Sequence, residues 1–263
     1  MQSLLSALGV QWVTTVLLLA TRIAALLLLT PLLYAVSIPA TARLLLVMAL
    51  ACVLALPFAE TQDVGIHAAG ALFTAMLREA AIGATLGLGV LLAFAGFSLA
   101  GRLVDVQVGF GIAQVVDPLT QSRLPIVSAV FGLLAAVFFF LVDGHHALLR
   151  GIAYSVERFP PGSGVPASTA AEPLLRAGAA LFTLGFALAS PVVLGLLLVD
   201  FVLGVIARNL PQMNMFVLGL PAKILVGIFA LSAWAAEFAT PARRLYEGIH
   251  HTWSAWFAAG GVR

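Results

Sequence analysis

Charged side chains within the long apolar stretches of this sequence include Arg22, Arg78, Glu79 and Asp200. A charge at the centre of a bilayer costs about 2.5–3.5 kcal/mol on insertion scales, so each needs a partner or water. The four could line a proton or solute pathway, or they could form ion pairs between helices or lie at subunit interfaces. Arg78 and Glu79 are adjacent and point about 100° apart on a helix, so we expect each to find a different partner. We predict structural pairing.

The patterns that carry most enzyme chemistry are missing from the sequence. It contains no G-x-S-x-G motif, no P-loop and no G-x-G-x-x-G motif. Asp143-Gly144-His145-His146 has the residue types of a metal site, but neighbouring histidines on a helix are expected to face different directions. A turn at Asp143-Gly144 is the preferred interpretation. We therefore predict no enzyme, no cofactor and no metal site.

Residues 107–118, with the sequence QVGFGIAQVVDP, differ from the apolar blocks on either side. Glycines flank Phe110, and no lysine or arginine lies inside the segment. The segment is too rich in glycine to favour a helix and too apolar to be freely solvated. We therefore expect this loop to pack against another surface, and we expect that contact to be central to the function.

The composition places the chain among membrane proteins. Of its 263 residues, 62% are hydrophobic and 9% charged, whereas soluble domains have about 45–50% and about 25%. A helix that crosses about 30 Å of hydrocarbon needs roughly 20 apolar residues. The sequence therefore predicts an all-α membrane protein with about six long apolar helices arranged as hairpins. These stretches cover approximately residues 12–33, 41–58, 68–99, 125–142, 174–206 and 215–238.

The third stretch carries Gly83 and Gly87 in a G-x-x-x-G pattern. Small residues at this spacing let two helix backbones approach closely, although glycine is also common in membrane helices generally. We predict one domain over residues 1–263, in which residues 241–263 form an amphipathic tail. A formal net charge of +2 without a basic tract gives no support for nucleic acid as a partner.

The lysines and arginines of the loops do not set an orientation in the membrane. With the N-terminus inside, six of them lie in the predicted inside loops and five in the outside loops. A conventional six-span protein shows a clearer bias. The balance hints that some apolar segments are buried against partner subunits rather than lipid.

Several inserts, taken in order, resemble the FliR family of flagellar export-gate proteins. They are Val108-Gly109-Phe110-Gly111, Asp117-Pro118, residues 141–146, residues 207–214 and residues 219–224. The resemblance covers nearly the whole chain, including Arg22. The P-Q-M-N run and the G-L-P-A-K run are closer to flagellar members than to those of virulence type III secretion systems.

The resemblance implies a subunit of the flagellar type III export gate, in the bacterial inner membrane at the flagellar basal body. It implies FliP and FliQ as partners, and further FlhB and FlhA, together with membrane lipid and unfolded export substrates. One alternative is the equivalent subunit of a virulence secretion system. The other is a secondary transporter lined by the intramembrane charges, although the sequence lacks the two related halves typical of that class.

In the family, a loop between the middle helices plugs the closed pore. The matching positions in this sequence are Gly109, Phe110, Gly111, Ile112, Val115, Val116 and Asp117. Their chemistry suits this role, because glycines allow a tight turn and apolar side chains exclude water from a narrow pore. The low charge avoids unpaired ions in a constriction.

Overall fold

The computed structural model describes residues 2–31, 39–58, 69–109, 126–163, 168–210, 212, 214–235 and 237–259. The described residues form α-helices and no β-strand, which confirms the predicted all-α fold. Within them the helices are α1 Gln2–Leu29, α2 Ala40–Ala55, α3 Ala69–Val108, α4 Ile126–Leu141, α5 Gly144–Arg158, α6 Ser168–Asn209, α7 Met215–Trp234 and α8 Ala239–Ala259. A 3-10 turn, Leu56–Phe58, follows α2.

Five of the described helices are long and apolar enough to cross a membrane: α1, α2 with its 3-10 turn, α3, α6 and α7. The fourth predicted span forms only the 16 residues of α4. That is about 24 Å of helix against about 30 Å of hydrocarbon, so it counts as a span only if α4 and α5 are taken together. By contrast, α3 has 40 residues and α6 has 42. Each has a contour length of about 60 Å, twice the hydrocarbon thickness.

The chain forms two compact units. The first unit contains Met1–Leu92, Asp143–Gly178 and Gly248–Arg263, and the second contains Ala93–Val142 and Ala179–Glu247. Helices α3, α6 and α8 each contribute residues to both units. The single domain expected from the sequence stays a prediction.

The first unit is built on an apolar stripe of α1. Leu18, Leu19, Ile23 and Leu26 are fully buried, with the spacing of three and four residues that lines one face of a helix. Helix α1 packs against α2. Helix α5, which the sequence did not predict, is amphipathic: its buried face includes Leu148, Ile152 and Val156.

The second unit has an aromatic core. The rings of Phe131 and Trp234 stack with centroids 6.2 Å apart, and pairs of this kind contribute about 0.5–1.5 kcal/mol each beyond their buried area. The Tyr246 hydroxyl of α8 donates a hydrogen bond to the Ala135 carbonyl. Burial raises the pKa of Tyr246, so the phenol stays protonated and remains a donor. The apolar side of the predicted tail is thus buried inside the protein.

Candidate functional site

Helix α3 ends where the predicted plug loop begins. Gly109 has φ 94°, and its N–H donates to the Asp105 carbonyl at 3.2 Å. A left-handed backbone costs a residue with a Cβ roughly 1–2 kcal/mol and costs glycine little, so this glycine lets the chain leave the helix sharply. The other predicted plug residues lie outside the described residues. They are Phe110, Gly111, Ile112, Val115, Val116 and Asp117.

Asp105 connects the end of α3 to the start of α4. Its Oδ1 accepts a hydrogen bond from the Val127 N–H at 2.9 Å. Its Oδ2 accepts from the N–H and the hydroxyl of Ser128, each at 2.8 Å. The first N–H groups of a helix lack partners within the helix and carry the positive end of its dipole, so a carboxylate stabilises them. The backbone on either side of residues 110–125 is therefore held together by this buried carboxylate.

Gly101 permits the same close approach of α3 and α4. A Cβ at this position would lie 2.6 Å from the Ser128 Cα, which real side chains do not tolerate. The sequence did not single out Asp105 or Gly101. The available signal was a carboxylate near the end of a long apolar stretch, where it needs hydrogen-bond donors.

Asp200 joins three helices of the second unit. The Lys223 Nζ of α7 lies 2.5 Å from Oδ1, and the Gln107 side-chain amide of α3 donates to Oδ2 at 3.0 Å. Asp200 and Lys223 are 37% and 24% exposed, so water reaches this pair. We call Asp105, Gln107, Asp200 and Lys223 the loop anchor. All four lie close in the structure or the sequence to the point where α3 ends.

The first unit contains a second polar centre, the buried ion pair of Arg22 and Glu79. Nε of Arg22 lies 2.6 Å from Oε2 of Glu79, and the side chains are 1% and 0% exposed. The remaining guanidinium nitrogens donate to the carbonyls of Ser155 at 3.0 Å and Phe159 at 2.8 Å. Oε1 of Glu79 accepts from the Gly162 N–H at 2.9 Å. Protein groups therefore satisfy both charges.

Gly83 and Gly87 lie where α3 meets α1, next to this ion pair. A Cβ on Gly83 would lie 2.0 Å from the Arg22 carbonyl oxygen, and one on Gly87 would lie 2.8 Å from the Leu26 carbonyl oxygen. The two backbones thus approach more closely than any larger residue allows. Arg78 is exposed, whereas its neighbour Glu79 is buried, as expected for adjacent helical residues.

The structure brings Asp143, His145 and His146 together at the start of α5, with ligand-type atoms within 4.8 Å of one another. The two imidazole rings are 4.1 Å apart, so the expectation that they diverge is wrong. Asp143 Oδ1 lies 3.3 Å from Nδ1 of His146. Because the start of a helix carries partial positive charge, it favours the carboxylate and opposes a cation. We assign this cluster to local structure.

Comparison with known proteins agrees with the family resemblance. The profile of the family described as "Bacterial export proteins, family 1" matches residues 13–249. The chain is 30% identical over 228 residues to "Flagellar biosynthetic protein FliR" of Escherichia coli (strain K12), covering 87% of each chain. It is 38% identical over 157 residues to the protein of that name in Bacillus subtilis (strain 168), covering 59% of this chain and 61% of the relative.

A protein named for a different system is also similar. The chain is 30% identical over 169 residues to "Surface presentation of antigens protein SpaR" of Shigella sonnei, covering 64% of this chain and 65% of the relative. The family match includes both polar centres, since Arg22, Glu79, Asp105, Asp200 and Lys223 all lie within residues 13–249.

Proposed function

We propose a function that follows from one premise: this chain belongs to the family of bacterial export proteins, family 1. We infer that it is a structural membrane subunit of the flagellar protein export apparatus, at the basal body in the bacterial inner membrane. It helps form the pore through which unfolded flagellar subunits are exported. The similarity over 87% of both chains to the flagellar protein of Escherichia coli carries this proposal, and the five apolar helices of span length support it.

The apolar surface of α6 supports a role within an assembly. This helix stays apolar over Ala170–Asn209, yet only 22% of the most apolar part of this range is buried within the chain. That segment is about 60 Å long, so about 30 Å of hydrocarbon covers half of it. Exposed apolar surface of this extent marks contact with other proteins or lipid. We propose that the export-gate subunits FliP and FliQ cover the rest, with FlhB and FlhA as further partners.

Co-purification tests this assembly. A tagged chain expressed with its flagellar export genes should retain FliP and FliQ through detergent extraction and size exclusion. Changing Phe201 to Asp, on the exposed face of α6, should release them, whereas Gly178→Ala on the same helix should not. Gly178 is a suitable control because a Cβ there meets nothing within 4 Å. A chain that purifies alone and binds a small solute would instead support the transporter alternative.

The flagellar and virulence alternatives are separated by complementation. We expect the chain to restore flagellin export and motility to a strain whose own family member is deleted. Restoration of needle assembly without motility would favour the virulence system. The flagellar assignment is supported by the 38% identity to the Bacillus subtilis protein and by the 87% coverage of the Escherichia coli protein, against 30% identity and 65% coverage for the Shigella sonnei protein.

We further propose that residues 109–117 plug the closed pore. The helix end at Gly109 supports this, because φ 94° directs the chain out of α3 at the first plug residue. The loop anchor supports it as well, because it fixes the backbone on both sides of the segment. We propose that the plug moves aside when substrate passes, while the Asp105 contacts keep the end of α3 joined to the start of α4. Ion permeability of a chain without residues 109–116 tests the proposal.

The buried ion pair weighs against the transporter alternative. A proton or solute path needs ionisable groups that water or solute reaches. Arg22 and Glu79 are at most 1% exposed and are occupied by each other and by backbone groups. We therefore assign them a structural role and leave Asp200 and Lys223 as the water-accessible pair.

A further inference from the structure

A groove in the first unit combines cationic and aromatic side chains and has no part in the plug proposal. It lies between α5 and the last turns of α8, with a volume of about 960 Å³. Its polar and aromatic lining includes Arg150, Tyr154, Arg158, His250, His251 and Trp253. Neither polar centre described above contributes to it.

The floor of the groove is a fixed indole ring. Trp253 packs directly on the backbone of α5, since a Cβ at Gly151 would lie 2.4 Å from the ring atom Cζ3. The indole Nε1–H donates to the Leu86 carbonyl at 3.2 Å, which sets the orientation of the ring. Trp253 is 4% exposed, so it shapes the groove from below. Glycine at position 151 is required for this contact.

The walls of the groove carry more positive than negative charge. Arg150 and Arg158 are exposed and line it from α5, and Glu157 is the single carboxylate among the lining residues that the structure describes. Nε of Arg158 donates to the Phe257 carbonyl at 3.4 Å, which holds this guanidinium beside the end of α8. His250 and His251 add imidazole groups from the other side. An anion is therefore the complementary ligand.

We propose that this groove binds the phosphate headgroup of an anionic phospholipid. Guanidinium groups hold phosphate oxygens through paired N–H···O bonds, which ammonium groups do not match in geometry. Basic pockets in membrane proteins bind anionic headgroups, and tyrosine and tryptophan are enriched at the membrane interface. Tyr154 and Phe257 lie edge to face at 5.0 Å and offer an apolar side wall to the lipid glycerol region. Free phosphate has no apolar part that could contact this wall.

Lipid titration of the full chain in detergent tests this site. We compare Arg150→Gln/Arg158→Gln with the matched variant Arg243→Gln/Arg244→Gln, which removes two exposed arginines of α8 outside the groove. Native mass spectrometry measures binding of short-chain phosphatidylglycerol and phosphatidylcholine. The groove variant should bind phosphatidylglycerol about tenfold more weakly than the control variant, because charge-assisted hydrogen bonds are lost. Phosphatidylcholine should bind weakly to both.

Three outcomes would overturn the site. Equal loss in both double variants would mean that total charge attracts the lipid, and competition by inorganic phosphate at the same concentration would mean a free-anion site. Because Arg158 also holds Phe257, its replacement could loosen α8. Arg150→Gln alone keeps that contact and should weaken phosphatidylglycerol binding without changing the melting temperature. Full binding by this single variant would also contradict the proposal.

Discussion

The polar centre of the first unit is sealed from water, whereas that of the second unit is open on one side. Arg22 and Glu79 are almost completely buried, and backbone groups satisfy the atoms that they do not offer to each other. Lys223 and Asp200 are 24% and 37% exposed, and Asp200 has one further partner, the side-chain amide of Gln107. Removing one partner from a sealed pair leaves an uncompensated charge, while water can replace a partner in an open one.

This difference indicates where the molecule can move. A sealed pair has one arrangement of its side chains, since any other would leave a buried charge without a partner. A partly exposed pair can exchange partners with water at small cost. The open pair contacts α3 two residues before Gly109, where the proposed plug begins. We infer that the first unit is a fixed scaffold and that contacts change first at the open Asp200–Lys223 pair, while buried Asp105 keeps the end of α3 joined to the start of α4.

Glu79→Gln should produce the largest effect. It leaves the Arg22 guanidinium buried beside a neutral amide and should lower the free energy of unfolding by about 3–5 kcal/mol. Thermal unfolding in detergent measures this loss, together with the yield of membrane-inserted protein. Arg78→Gln is the matched control, because Arg78 is the exposed neighbour on the same helix. Similar losses in both variants would contradict the sealed pair.

Gly83→Ala should produce the next largest effect. Its Cβ would lie 2.0 Å from the Arg22 carbonyl oxygen, so α1 and α3 must separate, at a cost of about 1–3 kcal/mol. Gly178→Ala, where nothing lies within 4 Å, should instead stabilise its helix by about 0.5–1 kcal/mol. The two melting temperatures should move in opposite directions. A shift of the same sign in both would argue against close helix packing at Gly83.

Asp200→Asn should cost about 1 kcal/mol or less, because Lys223 is partly hydrated. Its effect on function should be larger than its effect on stability, since it weakens the hold of α6 on both Gln107 and Lys223. Potassium efflux from cells that carry the assembled apparatus should rise, with the melting temperature nearly unchanged. Unchanged efflux would mean that the loop anchor has no part in keeping the pore closed.

Glu172→Gln should have the smallest effect, about 0.3–0.5 kcal/mol. Glu172 pairs with Arg176 one turn along α6, and both side chains are more than 70% exposed. Solvent screens such a pair. Melting curves in low and high salt measure the contribution, which should vanish at high salt. A loss as large as that of Glu79→Gln would mean that burial does not distinguish the two pairs.

The sequence identified which charges needed partners but not which partners they would find. Arg22, Glu79 and Asp200 stood out because a lone charge is costly in apolar surroundings. The contact between Arg22 and Glu79 joins residues 57 positions apart, and tertiary packing rather than local spacing decides it. The acceptors at Ser155 and Phe159 are backbone carbonyls, which carry no sequence signal.

Helix α5 and Asp105 show two further limits of the sequence. Helix α5 is not a long apolar stretch, because its buried residues recur once per turn among polar and charged ones. Asp105 precedes the segment that stood out by composition, and its importance depends on the start of α4, which lies 22 residues away. The sequence predicts an amphipathic tail, but the burial of its tryptophans inside the chain depends on the packing of α8.

Ion permeability of a chain lacking residues 109–116 is the measurement that decides whether this segment plugs the closed pore. The deletion joins Val108 to Asp117 and leaves Asp105, Asp200 and Lys223 in place, so the scaffold should still assemble with its partners. Potassium efflux is measured in cells without export substrate, beside the wild type and Gly178→Ala. We expect faster efflux from the deletion than from either control, and an intermediate rate from Asp200→Asn. Wild-type efflux from a deletion that still co-purifies with FliP and FliQ would contradict it.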